Sequence, residues 1–272
     1  MIDQYTEVYG VIGNPVRHSL GPVMHNAAFR EKGINAVYLA FEITDLKDCI
    51  KGVRSLGIKG LSVTIPFKSD IIPFLDDMDD LAEGIGAVNT VVNEKGRLKG
   101  HNTDAAGALR ALEEKTDVSG KRAIIIGAGG AGRAIGFVLK QRGLEIVIAN
   151  RSVDRAMQLC RSLGCEFIQL DNLPDAHGDI LINATPVGMS PDMDISPVSE
   201  KAFKEGMVVM DIIYNPFKTR FLAVAETRGC MVINGLPMFI YQGAEQFGLW
   251  TGLDAPIAVM NEAVKKRLAS GS

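Results

Sequence analysis

The feature of the sequence that most constrains its fold is the alternation of short β-branched runs with helical patterns from Lys121 onward. Strands that alternate with helices pair in parallel, and parallel strands buried on both faces read as near-continuous apolar runs. Five such runs occur, at 122–127 (RAIIIG), 145–150 (EIVIAN), 179–183 (DILIN), 207–213 (MVVMDII) and 230–234 (CMVIN). This half of the chain predicts a doubly wound parallel sheet.

The first of these runs leads directly into a glycine-rich turn. "IIIGAGGAGRA" places Gly127, Gly129 and Gly132 in G-x-G-x-x-G spacing, after a strand and at the start of a helix. The first glycine permits a tight turn, the second lets the backbone approach a pyrophosphate, and the helix amides face its charge. The alternative is a glycine-rich turn that binds nothing. The candidate dinucleotide ligands are Gly127, Ala128, Gly129, Gly130, Ala131 and Gly132.

The residues that end the second apolar run, at 150–155, indicate whether the site would bind NAD or NADP. An NAD site places an acid there to accept a hydrogen bond from the ribose 2′-hydroxyl. This chain instead has Asn150, Arg151, Ser152 and Arg155. Two guanidinium groups and a hydroxyl suit a 2′-phosphate, so the sequence predicts a Rossmann-type domain that binds NADP. Solvated arginines, with Ser152 as a helix N-cap, are the alternative.

The first hundred residues also mix strands and helices, but they contain a hairpin. "AVNTVV" and "GRLKG" flank a turn at 93–96; if Val92 faces Arg97, Asn89 faces Gly100. An antiparallel element predicts a separate, mixed sheet.

The remaining segments complete the expected organisation. A helix over 104–115 joins the halves, and two final helices, 238–250 and 255–268, would dock on the first domain. We therefore expect two α/β domains with a cleft between them. Residues 1–103 with 237–272 form the substrate domain, and residues 104–236 form the NADP-binding domain.

Several polar residues of the first domain lie where its elements end. Thr64 and Lys68 follow a strand, while Asn89, Asn102 and Asp104 fall at one end of the hairpin. Each has an ordinary explanation as a solvated lysine, a turn former or a helix cap. Their convergence is what predicts a substrate site.

A second candidate for anion binding lies near the amino terminus. Ser19 and Gly21 precede an apolar helix that begins around Pro22. A helix start with free amides and a nearby hydroxyl attracts carboxylates.

The composition of the chain indicates which kinds of partner the protein binds. The 29 Lys and Arg against 32 Asp and Glu give a net charge of -3, with no basic tract, which weighs against nucleic acid. The first residues lack a signal-peptide pattern, and no apolar stretch approaches the roughly 20 residues that span a bilayer. Four cysteines without CxxC spacing indicate no metal site. We expect a cytoplasmic protein with a small-molecule substrate and no membrane partner, either a monomer or a homodimer.

Nine motifs, in order, resemble the shikimate dehydrogenase family over nearly the whole chain. They are GNPVRHS, SVTIPFK, GAVNT, NTD, GAGGAGRA, NRS, NATPVGM, DIIYNP and YQGAEQF. The resemblance implies reversible reduction of 3-dehydroshikimate to shikimate by NADPH, a step in the synthesis of chorismate and the aromatic amino acids.

The resemblance also implies roles for individual residues. Lys68 and Asp104 would be the catalytic pair, and Asn150 to Arg155 the 2′-phosphate clamp. Ile212 and Gly235 would lie beside the nicotinamide, and Asp80 matches a position also associated with the cofactor. The implied substrate contacts are Ser19, Thr64, Asn89, Tyr214 and Gln242.

One departure from the family pattern is Gly21. The family usually reads H-S-x-S-P where this chain reads HSLGP. As an N-cap, glycine for serine costs only about a few tenths of a kcal/mol. As a binding residue, Gly21 removes a hydroxyl donor and could leave room for the extra hydroxyl of quinate. The alternatives are a quinate or aminoshikimate dehydrogenase and a ligand sensor without turnover; retention of Lys68 and Asp104 weighs against the sensor.

Overall fold

The computed structural model describes residues 2–270, and within them it contains two six-stranded sheets. The chain divides into two compact units. The first runs to Thr103 and resumes at Ile240; the second is Asp104–Phe239. The expected return to the first domain was at 237.

The first unit is built on a mixed sheet. Its elements are β1 (Glu7–Gly13), α1 (Gly21–Glu31), β2 (Ala36–Glu42), α2 (Leu46–Leu56), β3 (Gly60–Val63), β4 (Asp77–Met78), α3 (Asp80–Ile85), β5 (Thr90–Glu94) and β6 (Arg97–His101). The strand order is β2-β1-β3-β5-β6-β4. β5 is antiparallel to both neighbours, and the other pairs are parallel. The prediction of a mixed sheet is confirmed.

The hairpin exists, but its predicted register was wrong. Glu94 pairs with Arg97, so Val92 faces Lys99 rather than Arg97. The turn has only two residues, Lys95 and Gly96, both with positive φ (53° and 92°). Positive φ at both central positions is the type I′ geometry that matches the twist of a two-residue hairpin. Asn89 therefore lies beyond the last strand pair, next to Asn102 and Thr103, instead of facing Gly100.

The two predicted C-terminal helices are present as α8 (Gly235–Thr251) and α9 (Ile257–Ala269). α9 packs against α1. The Trp250 indole N–H donates to the Val91 carbonyl at 3.0 Å. A Cβ at Gly60 would lie 2.3 Å from the Trp250 Nε1, so β3 requires glycine where the indole crosses it. From Ile240 onward these helices complete the core of the first unit.

The second unit is built on an all-parallel sheet. Its elements are α4 (Asp104–Glu113), β7 (Arg122–Ile126), α5 (Gly130–Gln141), β8 (Glu145–Asn150), α6 (Val153–Leu163), β9 (Glu166–Gln169), β10 (Ile180–Asn183), β11 (Val208–Asp211), α7 (Arg220–Thr227) and β12 (Met231–Ile233). The strand order is β12-β11-β10-β7-β8-β9. The five predicted strands and the doubly wound class are confirmed.

The strand that the sequence pattern missed is β9. It is an edge strand of four residues, and none of them is fully buried. Such a strand lacks the continuous apolar run by which buried parallel strands are recognised. By contrast, every residue of β10 and β11 is buried.

Two further observations concern membrane and metal binding. No helix between residues 2 and 270 is long and apolar enough to cross a membrane. The same part of the chain holds no group of three or more His, Cys, Asp or Glu side chains placed to bind a metal.

Candidate active site

The glycine-rich loop of the second unit gives each of its three glycines a different constraint. Gly127 has φ of 110°, and a Cβ there would lie 2.8 Å from the Thr185 methyl group. A Cβ at Gly132 would lie 2.2 Å from the Gly127 carbonyl oxygen. Gly129, the N-cap of α5, has nothing within 4 Å of its Cβ position. The first and third glycines are thus required by packing, while the second leaves its backbone open for a phosphate.

The residues after β8 form an exposed cationic segment at the start of α6. Asn150 ends the strand, and its Nδ2 donates to the Ser152 carbonyl at 2.9 Å. Ser152 occupies the N-cap position, but its hydroxyl makes no capping hydrogen bond. Within the described chain neither Arg151 nor Arg155 has a carboxylate in ion-pair range. The two guanidinium groups are not engaged by protein carboxylates and remain able to bind an anion.

In the first unit, Asn89 is at the centre of a buried hydrogen-bond network. Its side chain is 2% exposed. Its Oδ1 accepts from the Thr103 amide and the Thr90 hydroxyl, both at 2.8 Å. Its Nδ2 donates to the Thr103 hydroxyl at 3.0 Å and lies 3.5 Å from the Gln242 Oε1. The structure thus brings together Asn89 and Gln242, two of the predicted substrate ligands.

Lys68 lies beside this network. It is half-buried in the turn after β3, and its carbonyl accepts from the Val88 amide at 2.7 Å. This bond ties the lysine turn to the residue preceding Asn89. Thr64 begins the same turn and is half-buried, and its amide donates to the Ile12 carbonyl at 3.0 Å.

Three further polar residues predicted for the site lie at the ends of elements. Asn102 is buried and donates from Nδ2 to the Ala87 carbonyl at 2.8 Å. Asp104 is 6% exposed and is the first residue of α4, where it begins the second unit. Asp80 is exposed at the start of α3. Its neighbour Asp79 is the helix cap, accepting from the Ala82 amide at 2.7 Å.

The start of α1 differs from expectation in two respects. Gly21 is the first helical residue and Leu20 the N-cap, so the capping interpretation of Gly21 was wrong. The Ser19 hydroxyl accepts from the Gly21 amide at 3.2 Å. The expected vacated volume is also absent in this described segment. Gly21 is buried, and a Cβ there would lie 3.1 Å from the Tyr38 ring and 3.2 Å from the Ser19 Oγ.

The residues implied for the nicotinamide side lie together in the second unit. A Cβ at Gly235 would lie 2.1 Å from the Ile212 carbonyl oxygen, so α8 begins in direct backbone contact with the segment after β11. Tyr214, in the same segment, stacks on Phe239 with ring centroids 4.3 Å apart. Both contacts fix the backbone that follows β11.

A buried polar pair that the sequence reasoning missed supports this segment. Asn183 and Asp211 end the neighbouring strands β10 and β11 and are both fully buried. The Asn183 Nδ2 donates to the Asp211 carboxylate at 3.1 Å, and the Thr219 hydroxyl donates to it at 2.7 Å. The Ile213 amide donates to it at 3.0 Å. A polar residue ending an apolar strand was the signal that could have identified both.

Asp211 gives a pH-dependent prediction. Burial raises the pKa of its carboxyl to about 6, against the lowering effect of the Thr219, Ile213 and Asn183 hydrogen bonds. Because the folded pKa exceeds the unfolded value of 3.8, the unfolded state ionises first and stability falls as pH rises between these values. Relative to Asp211→Asn, we expect the wild-type free energy of unfolding to fall by about 2 kcal/mol from pH 4.5 to 7.

Urea unfolding of both proteins across this pH range measures the effect. The lost Thr219 bond in the variant adds an offset that does not depend on pH. Asp117→Asn is the control: hydrogen bonds from Ser119 lower the pKa of that exposed carboxyl from 3.8, so it is ionised in both states above pH 4.5 and its removal should not change the slope in this range. Parallel curves for wild type and Asp211→Asn would contradict the prediction.

Three family models match successive parts of the chain. A model described as the shikimate dehydrogenase substrate binding domain matches residues 11–91. One described as shikimate / quinate 5-dehydrogenase matches 109–213, and one for the shikimate 5′-dehydrogenase C-terminal domain matches 235–265. The matched regions include Asn89, Gln242 and the glycine-rich loop.

Similar sequences cover nearly the full chain. The shikimate dehydrogenase (NADP(+)) of Thermococcus kodakarensis is 50% identical over 268 residues, covering 97% of each chain. That of Pyrococcus furiosus is 47% identical over 263 residues, covering 96% of each.

Similar solved structures cover the chain equally well. A crystal structure of a shikimate dehydrogenase with NADP+ gives a TM-score of 0.94 at 45% identity, covering 98% of both chains. The Thermus thermophilus enzyme with NADP(H) and shikimate gives 0.89 at 39% identity, covering 96% of this chain and 99% of that one. A quinate dehydrogenase from Corynebacterium glutamicum with NAD gives 0.87 at 30% identity, covering 96% and 99%. The chain belongs to the shikimate dehydrogenase family.

Proposed function

We propose that the protein is an NADP-dependent shikimate dehydrogenase that reversibly reduces 3-dehydroshikimate to shikimate. The observation that carries the proposal is 47–50% identity, over nearly the whole chain, to relatives of that name. The proposal assigns the substrate to residues 1–103 with 237–272, and the cofactor to residues 104–236.

The second unit fits NADP at both ends of its adenosine diphosphate portion. The open Gly129 backbone at the start of α5 suits a pyrophosphate, which the loop Gly127–Gly132 would hold. Arg151, Ser152 and Arg155 would hold the 2′-phosphate, with Asn150 in place of the acid of an NAD site. When bound, NADPH supplies the hydride. Ile212 and Gly235 would lie beside its nicotinamide.

In the proposal, the first unit binds and orients the substrate. Asn89 presents an amide whose orientation is set by Thr90 and Thr103, so little rotamer freedom remains to be lost on binding. Gln242 and Thr64 would contact the ring hydroxyls. Tyr214, which does not belong to this unit, would be a further ligand. Ser19, at the start of α1, would hold the carboxylate.

Lys68 and Asp104 would handle the proton. As a carbonyl carbon is reduced, negative charge develops on its oxygen and requires a positioned proton donor. Lys68 would donate a proton from Nζ to this oxygen, and Asp104 would fix the direction of the ammonium group. In the reverse direction the lysine accepts the proton of the substrate hydroxyl. Asp80, exposed on α3, is assigned only a peripheral part in cofactor binding.

The setting of the enzyme is also part of the proposal. Its four cysteines, Cys49, Cys160, Cys165 and Cys230, are free thiols, which suits the reducing cytoplasm. Its only proposed partner is the small-molecule substrate, shikimate or 3-dehydroshikimate. The enzyme would act as a monomer or a homodimer, and sedimentation equilibrium would decide between the two.

Initial rates test the function directly. The purified protein would be assayed for oxidation of shikimate and of quinate, each with NADP and with NAD. We expect turnover to be fastest with shikimate and NADP. Comparable quinate rates would indicate a broader dehydrogenase, and faster reaction with NAD would contradict the role of Arg151. No turnover in any pairing would favour a ligand sensor.

A further inference from the structure

Tyr38 lies beside Gly21, at the start of α1, where the proposed function places the substrate carboxylate. It is on β2 and 1% exposed, and its ring stacks on His25 with centroids 4.5 Å apart. Burial lowers the pKa of His25 to about 3, so this neighbour stays neutral at physiological pH. The phenol ring is therefore packed against an uncharged, buried partner.

The Tyr38 hydroxyl is held at the end of a directed chain of hydrogen bonds. Gln246 donates from Nε2 to the Thr90 hydroxyl at 3.0 Å and to the Asn89 carbonyl at 3.3 Å. Its Oε1, which can only accept, faces the Ser62 hydroxyl at 2.9 Å. Ser62 must then donate to Gln246 and accept from Tyr38, at 2.5 Å. The phenol is fixed by the same network that orients Asn89.

The phenol lies directly beside Gly21. A Cβ at Gly21 would be 3.1 Å from Tyr38 Cε1 and 3.3 Å from its hydroxyl oxygen. These distances are tighter than ordinary van der Waals contact, and Gly21 is buried. The space beside the Gly21 backbone is therefore occupied by the edge and hydroxyl of Tyr38.

We propose that Tyr38 is a specificity-determining residue, whose phenol hydroxyl excludes ring acids that carry a hydroxyl on the carbon bearing the carboxylate. This inference rests on the proposed function, in which Ser19 and the start of α1 hold that carboxylate. Quinate has the extra hydroxyl and shikimate does not. Gly21 alone would admit quinate; Tyr38, fixed by Ser62, closes that space.

Tyr38→Phe tests the inference, because it removes one oxygen and keeps the stacked ring. The vacated position would let the quinate hydroxyl approach Ser62 in place of the phenol. Calorimetric dissociation constants for shikimate and quinate, together with kcat/KM for both with NADP, give the selectivity. We expect Tyr38→Phe to shift the shikimate-to-quinate ratio toward quinate by about tenfold or more.

Two further variants distinguish the space opened beside Gly21 from a nonspecific effect of removing a buried hydroxyl. Tyr9→Phe removes the hydroxyl of a tyrosine whose ring, like that of Tyr38, packs against Trp250. This hydroxyl donates to Glu7 at 3.1 Å and lies on another strand, so its loss should leave the ratio unchanged. Gly21→Ser added to Tyr38→Phe places a hydroxymethyl group in the opened space and should restore discrimination.

The outcomes distinguish this inference from the proposed function. Absence of shikimate turnover with NADP would refute the function, while the binding ratio would still test Tyr38. An unchanged ratio in Tyr38→Phe, equal use of both acids by the wild type, or failure of either protein to bind either acid would overturn the inference.

Discussion

Replacing Lys68 with methionine is expected to lower kcat for shikimate oxidation by about a thousandfold, the range lost with a general acid or base. Methionine keeps an unbranched chain of similar length but cannot exchange a proton. The Lys68 backbone carbonyl, which accepts from the Val88 amide, remains in place. Shikimate should therefore still bind, and stopped-flow or steady-state rates would show the loss in kcat rather than in KM.

Lys59→Met is the matched control for this substitution. Lys59 immediately precedes β3, as Lys68 lies in the turn after it, but its side chain is 48% exposed and forms an ion pair with Glu7 at 3.4 Å. Exposed ion pairs contribute little to stability, so this variant should keep wild-type rates. If Lys68→Met lost less than about tenfold in kcat, Lys68 would not be the proton donor.

The parts of the fold that the sequence predicted are those set by local pattern. The parallel strands were recognisable because burial on both faces requires continuous apolar runs. The glycine-rich loop was recognisable because the close contact of Gly132 with Gly127 and the positive φ of Gly127 leave glycine as the residue that fits. In these cases the constraint and the residue that satisfies it lie within a few positions.

The parts that were missed depend on residues distant in sequence. The hairpin register was wrong because Lys95, a residue that seldom takes positive φ, occupies the first turn position. Asn183 and Asp211 meet only because β10 and β11 are neighbours. The space at Gly21 is filled by Tyr38 from another element, so an interpretation of Gly21 within its own motif could not anticipate it.

Gln246 belongs to the Asn89 hydrogen-bond network, although the sequence pattern did not identify it. It lies four residues after Gln242 on α8, and residues at that spacing share one helix face. Gln242 was selected from the family motif, whereas Gln246 was not. Only the structure shows that Gln246 contacts both Asn89 and Ser62.

Removing both arginines that follow β8 is expected to change cofactor choice more than catalysis. In Arg151→Ala/Arg155→Ala, the KM for NADP should rise by about a hundredfold or more, since each charge-assisted bond to a phosphate contributes about 1.5–3 kcal/mol. The KM for NAD, which lacks the 2′-phosphate, should change little. Rates with each cofactor, at saturating shikimate, measure both values.

Arg161→Ala is the control for charge. Arg161 is an exposed arginine in the last turn of the same helix, so its removal lowers the positive charge of α6 without altering the segment after β8. If Arg161→Ala raised the KM for NADP as much as the double variant does, the effect would come from the overall positive charge of α6 rather than from a phosphate clamp. If the double variant raised the KM for NADP and for NAD equally, the arginines would contact a part of the cofactor that NADP and NAD share. A KM that rises for NADP but not for NAD, with kcat nearly unchanged, is the result that requires contact with the 2′-phosphate. That group is absent from NAD and remote from the reacting carbon.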